Sequence, residues 1–377
     1  MMLLVITAIL LRNRYSFRGI DAEPKAAGKT VEVSICVPAR NEEAVIERCL
    51  VSTLEQSYEK VNVLVLDDGS TDRTPRILSE LKRRYPDTLV VLSGSERPEG
   101  WLGKPYACHQ LGKAAEGDLI IFADADTWFD KDMVTKAVHA FESRKLDFLT
   151  IWPDQIMLTF WEKMIVPLVY YALLGFLPVT YTERPPNWMP KSFRSKYKTM
   201  FAAACGQFMA FKRDFYHEIG GHDAVKDQIV EDVELARQVM KYDGRMMMMH
   251  GLNQVFCRMY TSADEIYQGF RKNFLAGFGY NIPLFILMGI LHFGAYILPV
   301  PLLIAGIILP NAFLIYLSVF ALGMAFLHRL LLAEWLEWDK WIVVLHPLSV
   351  FWFQRLALTT LIDRIRGRKI SWKGRSV

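Results

Sequence analysis

Two aspartates, Asp124 and Asp126, stand where the apolar run from Leu119 to Ala123 stops. Alternate residues of a strand share a face, so the two carboxylates are expected to converge on one point. Two hard oxygen ligands leave most positions of a six-coordinate cation open to water and substrate phosphates, which is how Mg²⁺ or Mn²⁺ is commonly held. The chemistry this pattern could serve is the grip of a divalent ion on a nucleotide diphosphate. A D-x-D triplet also arises by chance in a charged chain, so its surroundings decide.

Those surroundings repeat. Residues 31–37 read as a buried strand ending in Pro38-Ala39-Arg40-Asn41-Glu42-Glu43, and 61–66 as a second ending in Asp67-Asp68-Gly69-Ser70-Thr71-Asp72. A third strand is expected over 89–93 and a fourth over 119–123, with helices over 42–54, 73–85 and 106–116 between them. Strands alternating with helices in this way imply an α/β fold, mostly a parallel sheet with helices on both faces. In such sheets ligands sit beyond the carboxyl ends of the strands, where all three polar clusters fall. Asp67 and Ser70 read equally well as turn or cap residues. DDGSTD superficially resembles a calcium loop but lacks its distal bidentate glutamate.

In order, PARNEE, DDGSTD and ADAD resemble the nucleotide-sugar half of family 2 glycosyltransferases, over about Val33 to Arg271. The resemblance implies a GT-A fold, a divalent cation and inversion at the anomeric carbon. It places Pro38, Arg40, Glu42 and Asp68 along the nucleotide, and Asp124 and Asp126 on the metal, Asp126 most directly. The physical reading agrees, because a carboxylate accepts hydrogen bonds from a uracil N–H or ribose hydroxyls. Gly100-Trp101-Leu102-Gly103-Lys104 is similar to the branch of the family that glycosylates lipids, ceramide and carotenoids among them. Lys104 would face a phosphate of the donor, although no full phosphate-binding loop is present.

Glu231-Asp232 opens an expected helix and resembles the family's acidic pair, with Asp232 as the general base that takes the acceptor's proton. Acidic residues at a helix start also simply complement its dipole. Gln268 and Arg271, one helical turn apart, resemble a degenerate Q-x-x-R-W motif, Lys272 standing where the family has tryptophan. Arg271 would balance the leaving diphosphate, since its planar fork suits phosphate oxygens. Neither His222 nor His250 has metal-ligand spacing, and both read as structural.

The composition is 52% hydrophobic and 22% charged, and the apolar residues concentrate after residue 280. A net charge of +4 gives no basis for a nucleic-acid partner. Five scattered cysteines, with no C-x-x-C pair, imply reduced and mostly buried thiols. The apolar run 1–11 is shorter than the roughly 18–20 residues a span needs and lacks signal-peptide flanks, so 1–30 reads as a short anchor and linker. The catalytic domain is expected over 31–280. Within it, the apolar stretch 155–181 reads as interfacial helices broken at Pro167 and Pro178, with a core role as the alternative. A basic loop follows over 184–198. Residues 281–362 read as a membrane hairpin turning at Pro310-Asn311, plus a third apolar segment that the positive-inside rule disfavours as a span. A basic cytoplasmic tail, 363–377, closes the chain; its Trp372-Lys373-Gly374-Arg375 is similar to the ending of carotenoid-modifying members of the family.

The expected protein is therefore a multi-pass protein of the cytoplasmic membrane with its catalytic domain in the cytoplasm. It would transfer a hexose, glucose foremost, from a UDP-sugar to a lipid or carotenoid acceptor at the bilayer. A processive polysaccharide synthase is the rival within the class, disfavoured by few terminal spans and the missing tryptophan. A non-catalytic sensor of nucleotide sugars is the rival outside it.

Overall fold

The computed structural model describes residues 1–22, 31–184, 186, 188–368, 371–372 and 375–376, apart from the side chains of Lys191, Ser195, Lys196 and the last described residues. The rest of the expected linker (23–30), Pro185 in the basic loop, and Lys373 and Gly374 of the tail lie outside the described residues. The chain forms two compact units drawn from interleaved stretches. One comprises Phe17–Ile156 and Val179–Met259; the other comprises Met1–Ser16, Met157–Pro178 and Tyr260–Val377.

The first unit is built on one sheet. Its strands are β1 (Val33–Ala39), β2 (Val61–Asp67), β3 (Leu89–Ser93), β4 (Leu119–Ala123), β5 (Thr127–Phe129), β6 (Phe148–Gln155), β7 (Phe208–Lys212) and β8 (Met246–Cys257). Their spatial order is β3-β2-β1-β4-β7-β6-β8-β5. The strands β1 to β4 run parallel, as expected. Beyond β4 the sheet is mixed: β7 is antiparallel to β4 and β6, β6 is parallel to β8, and β5 is antiparallel to β8.

Strand alternation divides the apolar residues between two layers. Ile35, Val37, Ile121 and Ala123 face the helices Ile46–Leu54, Thr74–Arg84 and Met133–Arg144. Cys36, Ile120 and Phe122 face the helices Gly103–Ala114 and Glu231–Lys241. Each fully buried aliphatic side chain contributes about 1.5–3 kcal/mol relative to exposure, so both layers hold the sheet's carboxyl edge rigidly. The strands β5, β6 and β8 escape a reading by alternation. β6 contains Pro153 and Asp154 with a register shift between them, and β8 opens on four consecutive methionines that carry no apolar–polar pattern.

The second unit is helical. Its N-terminal helix, Met2–Ser16, buries Asn13, whose amide donates to the carbonyls of Leu174 and Leu177 at 2.8 and 2.7 Å. These are orphan acceptors at the end of the Pro167–Phe176 helix, so a residue that looks misplaced in an apolar anchor acts as a cap. The break expected at Pro167 is present between Phe160–Ile165 and Pro167–Phe176, and the latter ends before Pro178.

Among the described residues two helices are each long and apolar enough to cross a membrane, Ala312–Trp335 and Trp341–Ile365. The second is the segment for which the positive-inside rule pointed away from a span. The first arm of the expected hairpin is not one straight helix. It runs as Ile282–His292, a π turn over Phe293–Ile297, and Pro299–Ile308. Pro299 and Pro301 remove backbone donors there, which accounts for the interruption.

Gly117 lies against β1, donating its N–H to Ser34 Oγ at 2.9 Å; a Cβ there would come within 2.7 Å of the Ser34 backbone nitrogen. We expect Gly117→Ala to destabilise the sheet unit by about 1–3 kcal/mol. Gly277→Ala, which meets nothing within 4 Å, should stay within about 0.5 kcal/mol. Urea unfolding of the purified protein in detergent separates the two, and equal midpoints would contradict this packing.

Candidate active site

The loops after β1 and β2 are tied together before any ligand is considered. Asn41, at φ 54°, donates its N–H to Ser70 Oγ at 2.9 Å, and its Oδ1 accepts from the Thr71 N–H at 2.7 Å. The Glu42 N–H donates to Thr74 Oγ1 at 2.9 Å and the Glu43 N–H to Asp72 Oδ2 at 3.1 Å. Arg40 donates from Nη1 to the carbonyls of Asp68 and Gly69. The Arg40 Nε–H is buried and unspent. Pro38, in β1, sits beside Leu66 of β2, one residue before Asp67. Pro38, Arg40, Glu42 and Asp68 are thus brought to one lip of the sheet, while Asp67 serves as a turn residue whose Oδ1 accepts from the Ser70 N–H at 3.0 Å.

Asp124 and Asp126 are positioned differently from the strand argument. β4 stops at Ala123, and Asp124–Asp126 form a turn into β5. The Thr127 N–H and hydroxyl both donate to the Asp124 carbonyl, at 3.1 and 2.7 Å. The turn is therefore fixed by hydrogen bonds, and the strand pleat plays no part. Beneath it lie buried thiols: Cys49 Sγ points to the Asp124 carbonyl at 3.7 Å, and Cys257 Sγ accepts from Gln207 Nε2 at 2.8 Å, its pKa raised by burial and then by the Asp126 charge. Burial, then the Asp126 and Asp124 charges, raise the Cys49 thiol's pKa. All five cysteines are free and buried, as their spacing implied.

Lys104 stands at the start of the Gly103–Ala114 helix, and its ammonium joins two elements. Nζ lies 2.7 Å from Asp124 Oδ1 and 3.0 Å from Glu231 Oε1. Burial works against this charge, yet Asp124 and Glu231 outweigh it and hold the Lys104 pKa well above its usual value. The sequence suggested a phosphate contact for Lys104; the structure seats it between carboxylates.

Glu231 and Asp232 open the Glu231–Lys241 helix, as expected. Asp232 accepts from the Gly206 N–H at 2.9 Å through Oδ2, and from the Val233 N–H at 2.8 Å through Oδ1. Burial, then the adjacent Glu231 charge, push the Asp232 pKa up to about 6, against Lys104 and the two N–H donors. A role limited to the helix dipole would not require the Lys104 contact or the Gly206 donor. Gly206 escaped the sequence reading: a Cβ there would come within 3.1 Å of Lys104 Nζ and 3.5 Å of Asp232 Oδ2. A glycine just before an apolar strand and beside a cysteine was the available signal.

Gln268 and Arg271 belong to the other unit, on the Ala263–Asn273 helix. Arg271 Nε is 2.9 Å from Asp363 Oδ2, and that carboxylate is buried. The guanidinium thus already holds a protein carboxylate. His222 is structural, its Nδ1 paired with Tyr216 OH at 2.8 Å inside the core. His250 donates its N–H to the Arg18 carbonyl at 2.9 Å.

The residues fit a hard divalent cation. Asp124 already receives a cationic group, and two carboxylates leave the remaining positions for water and diphosphate oxygens. Among the described residues no group of three or more His, Cys, Asp and Glu side chains is placed to hold a metal ion.

An open mixed sheet with helices on both faces and an acidic turn at its carboxyl edge is a GT-A arrangement. Residues 34–220 match Glycosyl transferase family 2, so the chain carries a glycosyltransferase domain of that family. It is 26% identical over 351 residues to the 4,4'-diaponeurosporenoate glycosyltransferase of Staphylococcus aureus (strain USA300), covering 91% of this chain and 87% of that one. The enzyme of the same description from Staphylococcus haemolyticus is 25% identical over 277 residues, 72% of this chain and 68% of its own length. Among solved structures, the mannosyltransferase PcManGT from Pyrobaculum calidifontis, in complex with GDP-Man and Mn2+, superimposes with a TM-score of 0.52 at 18% identity. That match covers 98% of this chain and 100% of the other, and it supports the fold.

Lys104→Met removes the cation that lowers the Asp232 pKa. We expect the acidic limb of the rate profile to move to higher pH and kcat to fall at least about tenfold, as one lost charge-assisted contact implies. A profile that keeps its limb in place would show that Lys104 does not act on Asp232.

Proposed function

We propose that this protein is an inverting glycosyltransferase that moves a hexose from a UDP-sugar to a lipid or carotenoid acceptor at the membrane. The observation that carries the reading is the Lys104 ammonium between Asp124 and Glu231, with Asp232 oriented beside it by two backbone donors. Pro38, Arg40, Glu42 and Asp68 line the nucleotide, Asp68 facing base and ribose. Asp124 and Asp126 hold Mg²⁺ or Mn²⁺. The mannosyltransferase with a similar fold was solved with Mn2+, which supports that choice of cation class. When bound, the ion supplies neutralisation of the diphosphate charge. Lys104 adds a fixed positive charge beside Asp124.

Asp232 accepts the proton of the acceptor hydroxyl while the acceptor oxygen bonds to the sugar C1 and the C1–O bond to the diphosphate breaks, releasing UDP. Inversion follows from that single displacement. The name of the similar staphylococcal enzymes points to a carotenoid carboxylate as acceptor. Such an acceptor is already ionised at neutral pH, and Asp232 then orients it and takes no proton. The two apolar helices support membrane association. In this reading the segments 1–30, 31–280, 281–362 and 363–377 are an anchor with linker, the catalytic domain, the membrane part and a cytoplasmic tail, and the chemistry occurs on the cytoplasmic side.

The test is release of UDP from UDP-glucose by detergent-purified protein with a membrane lipid extract, with and without Mn²⁺, beside Asp232→Asn. Metal-dependent release with a new glycolipid, reduced about 10²–10⁴-fold in the variant, is expected for a hydroxyl acceptor. With a carboxylate acceptor the variant should lose much less. Binding of UDP-glucose without release under any extract would refute a transferase of UDP-sugars. For the hydroxyl reaction the sign of the pH effect is fixed by the raised Asp232 pKa: turnover falls about tenfold per pH unit below about 6 and is level above it.

A further inference from the structure

The helical unit contains a buried polar chain that the glycosyl transfer does not use. Thr7 Oγ1 donates to the Leu3 carbonyl at 2.9 Å, so its contact with His328 Nε2 at 2.7 Å is one in which the ring N–H donates. With a neutral ring, His328 Nδ1 then accepts from Tyr171 OH at 3.0 Å, and Tyr171 in turn accepts from Tyr296 OH. Every hydroxyl proton of this chain is committed, that of Thr7 to the Leu3 carbonyl and those of the tyrosines to the next member.

Two groups beside it are not committed. Arg329, next in sequence to His328 on the Ala312–Trp335 helix, is 1% exposed. Its Nη2 donates to the carbonyls of Lys163 and Met164 at 3.0 and 3.3 Å, but its Nη1 is buried without any hydrogen-bond partner. Among the described residues no carboxylate forms an ion pair with this guanidinium. Glu162, close in sequence to both carbonyls, is engaged by the Leu158 N–H at 2.7 Å and Thr159 Oγ1 at 2.9 Å. His346 is fully buried, and neither ring nitrogen has a partner. Its ring packs against Tyr171 and Tyr296 at centroid distances of 5.1 and 5.2 Å, which places it on the same polar chain.

A guanidinium stays protonated at any physiological pH, and a buried charge without a counter-charge is costly. Inside an apolar, membrane-spanning helix that cost marks a functional site, and the missing element is an anion. We propose that Arg329 and His346, beside the Tyr296–Tyr171–His328 chain, bind the oxyanion head of a long-chain apolar molecule. The head can belong to a free carboxylic acid or to an anionic phospholipid; both offer oxygens to the Arg329 fork and to a His346 N–H. The apolar chain lies along the helices. The proposal uses none of the carboxylates that carry the sugar chemistry and does not rest on that reading.

The test uses the full-length protein in phosphatidylcholine nanodiscs, with cis-parinaric acid as probe and energy transfer from tryptophan as readout. The acid should bind saturably and its methyl ester at least about tenfold more weakly, the loss of one charge-assisted contact. Arg329→Met should weaken acid binding at least about tenfold, and Arg329→Lys by less. His346→Phe gives up no hydrogen bond, so it should fold like the parent and still weaken the acid. Phosphatidylglycerol nanodiscs separate the sources: loss of probe binding there assigns the head to a phospholipid, and retained binding assigns it to the free acid. Equal binding of acid and ester, displacement by inorganic phosphate alone, or unchanged affinity in the folded His346→Phe protein would overturn the proposal. No sugar transfer is measured, so a failure here leaves the glycosyltransferase reading where it stood.

Discussion

The arrangement of the catalytic unit depends on one ammonium group. Lys104 joins the turn after β4 to the start of the Glu231–Lys241 helix, and both partners are carboxylates that repel one another without it. Three negative groups, Asp124, Glu231 and Asp232, converge on partly buried ground at the edge of the sheet. Burial makes each charge expensive, and a fixed cation of opposite sign at short range is what makes their proximity tolerable. The backbone N–H groups of Gly206 and Val233 do the same for Asp232 alone, while burial and the Glu231 charge keep its affinity for a proton raised.

That constraint explains which parts of the site could be read from sequence. The first four strands are legible because each is a short apolar run rich in β-branched residues, and three of them end in a polar cluster, as at Val65-Leu66-Asp67. The acidic residues are legible because they fall at those ends. The turn that positions Asp124 and Asp126 is not, since its geometry comes from Thr127 donating twice to a carbonyl. The partner of Lys104 is also hidden: position 104 and position 231 meet only through tertiary packing. β8 was missed because Met246 to Met249 are equally apolar on both faces, which erases the period that identifies a strand.

The helical unit shows the converse. Its apolar stretches are conspicuous by composition, yet the details that define it are polar. Asn13 caps the helix ending at Phe176, and His328, Tyr171, Tyr296 and Thr7 form a continuous chain of donors and acceptors. In a sequence each of these residues looks like a blemish in a hydrophobic run. In the fold they satisfy one another, and Arg329 with His346 are what is left over.

The interleaving of the two units along the chain governs how the molecule can be synthesised. The helix over Met2–Ser16 leaves the ribosome before the sheet unit, but its unit also includes residues 157–178 and those from Tyr260 on. The sheet unit can close once Met259 has emerged, whereas the helical unit remains incomplete until the last third of the chain is made. During that interval the helices over Met2–Ser16 and Pro167–Phe176 have only each other within their unit, and the bilayer is the environment able to shelter the rest of their apolar surface. For the same reason a cut before Tyr260 would not release a soluble catalytic piece, because the stretches 1–16 and 157–178 would remain in it with their apolar surfaces uncovered.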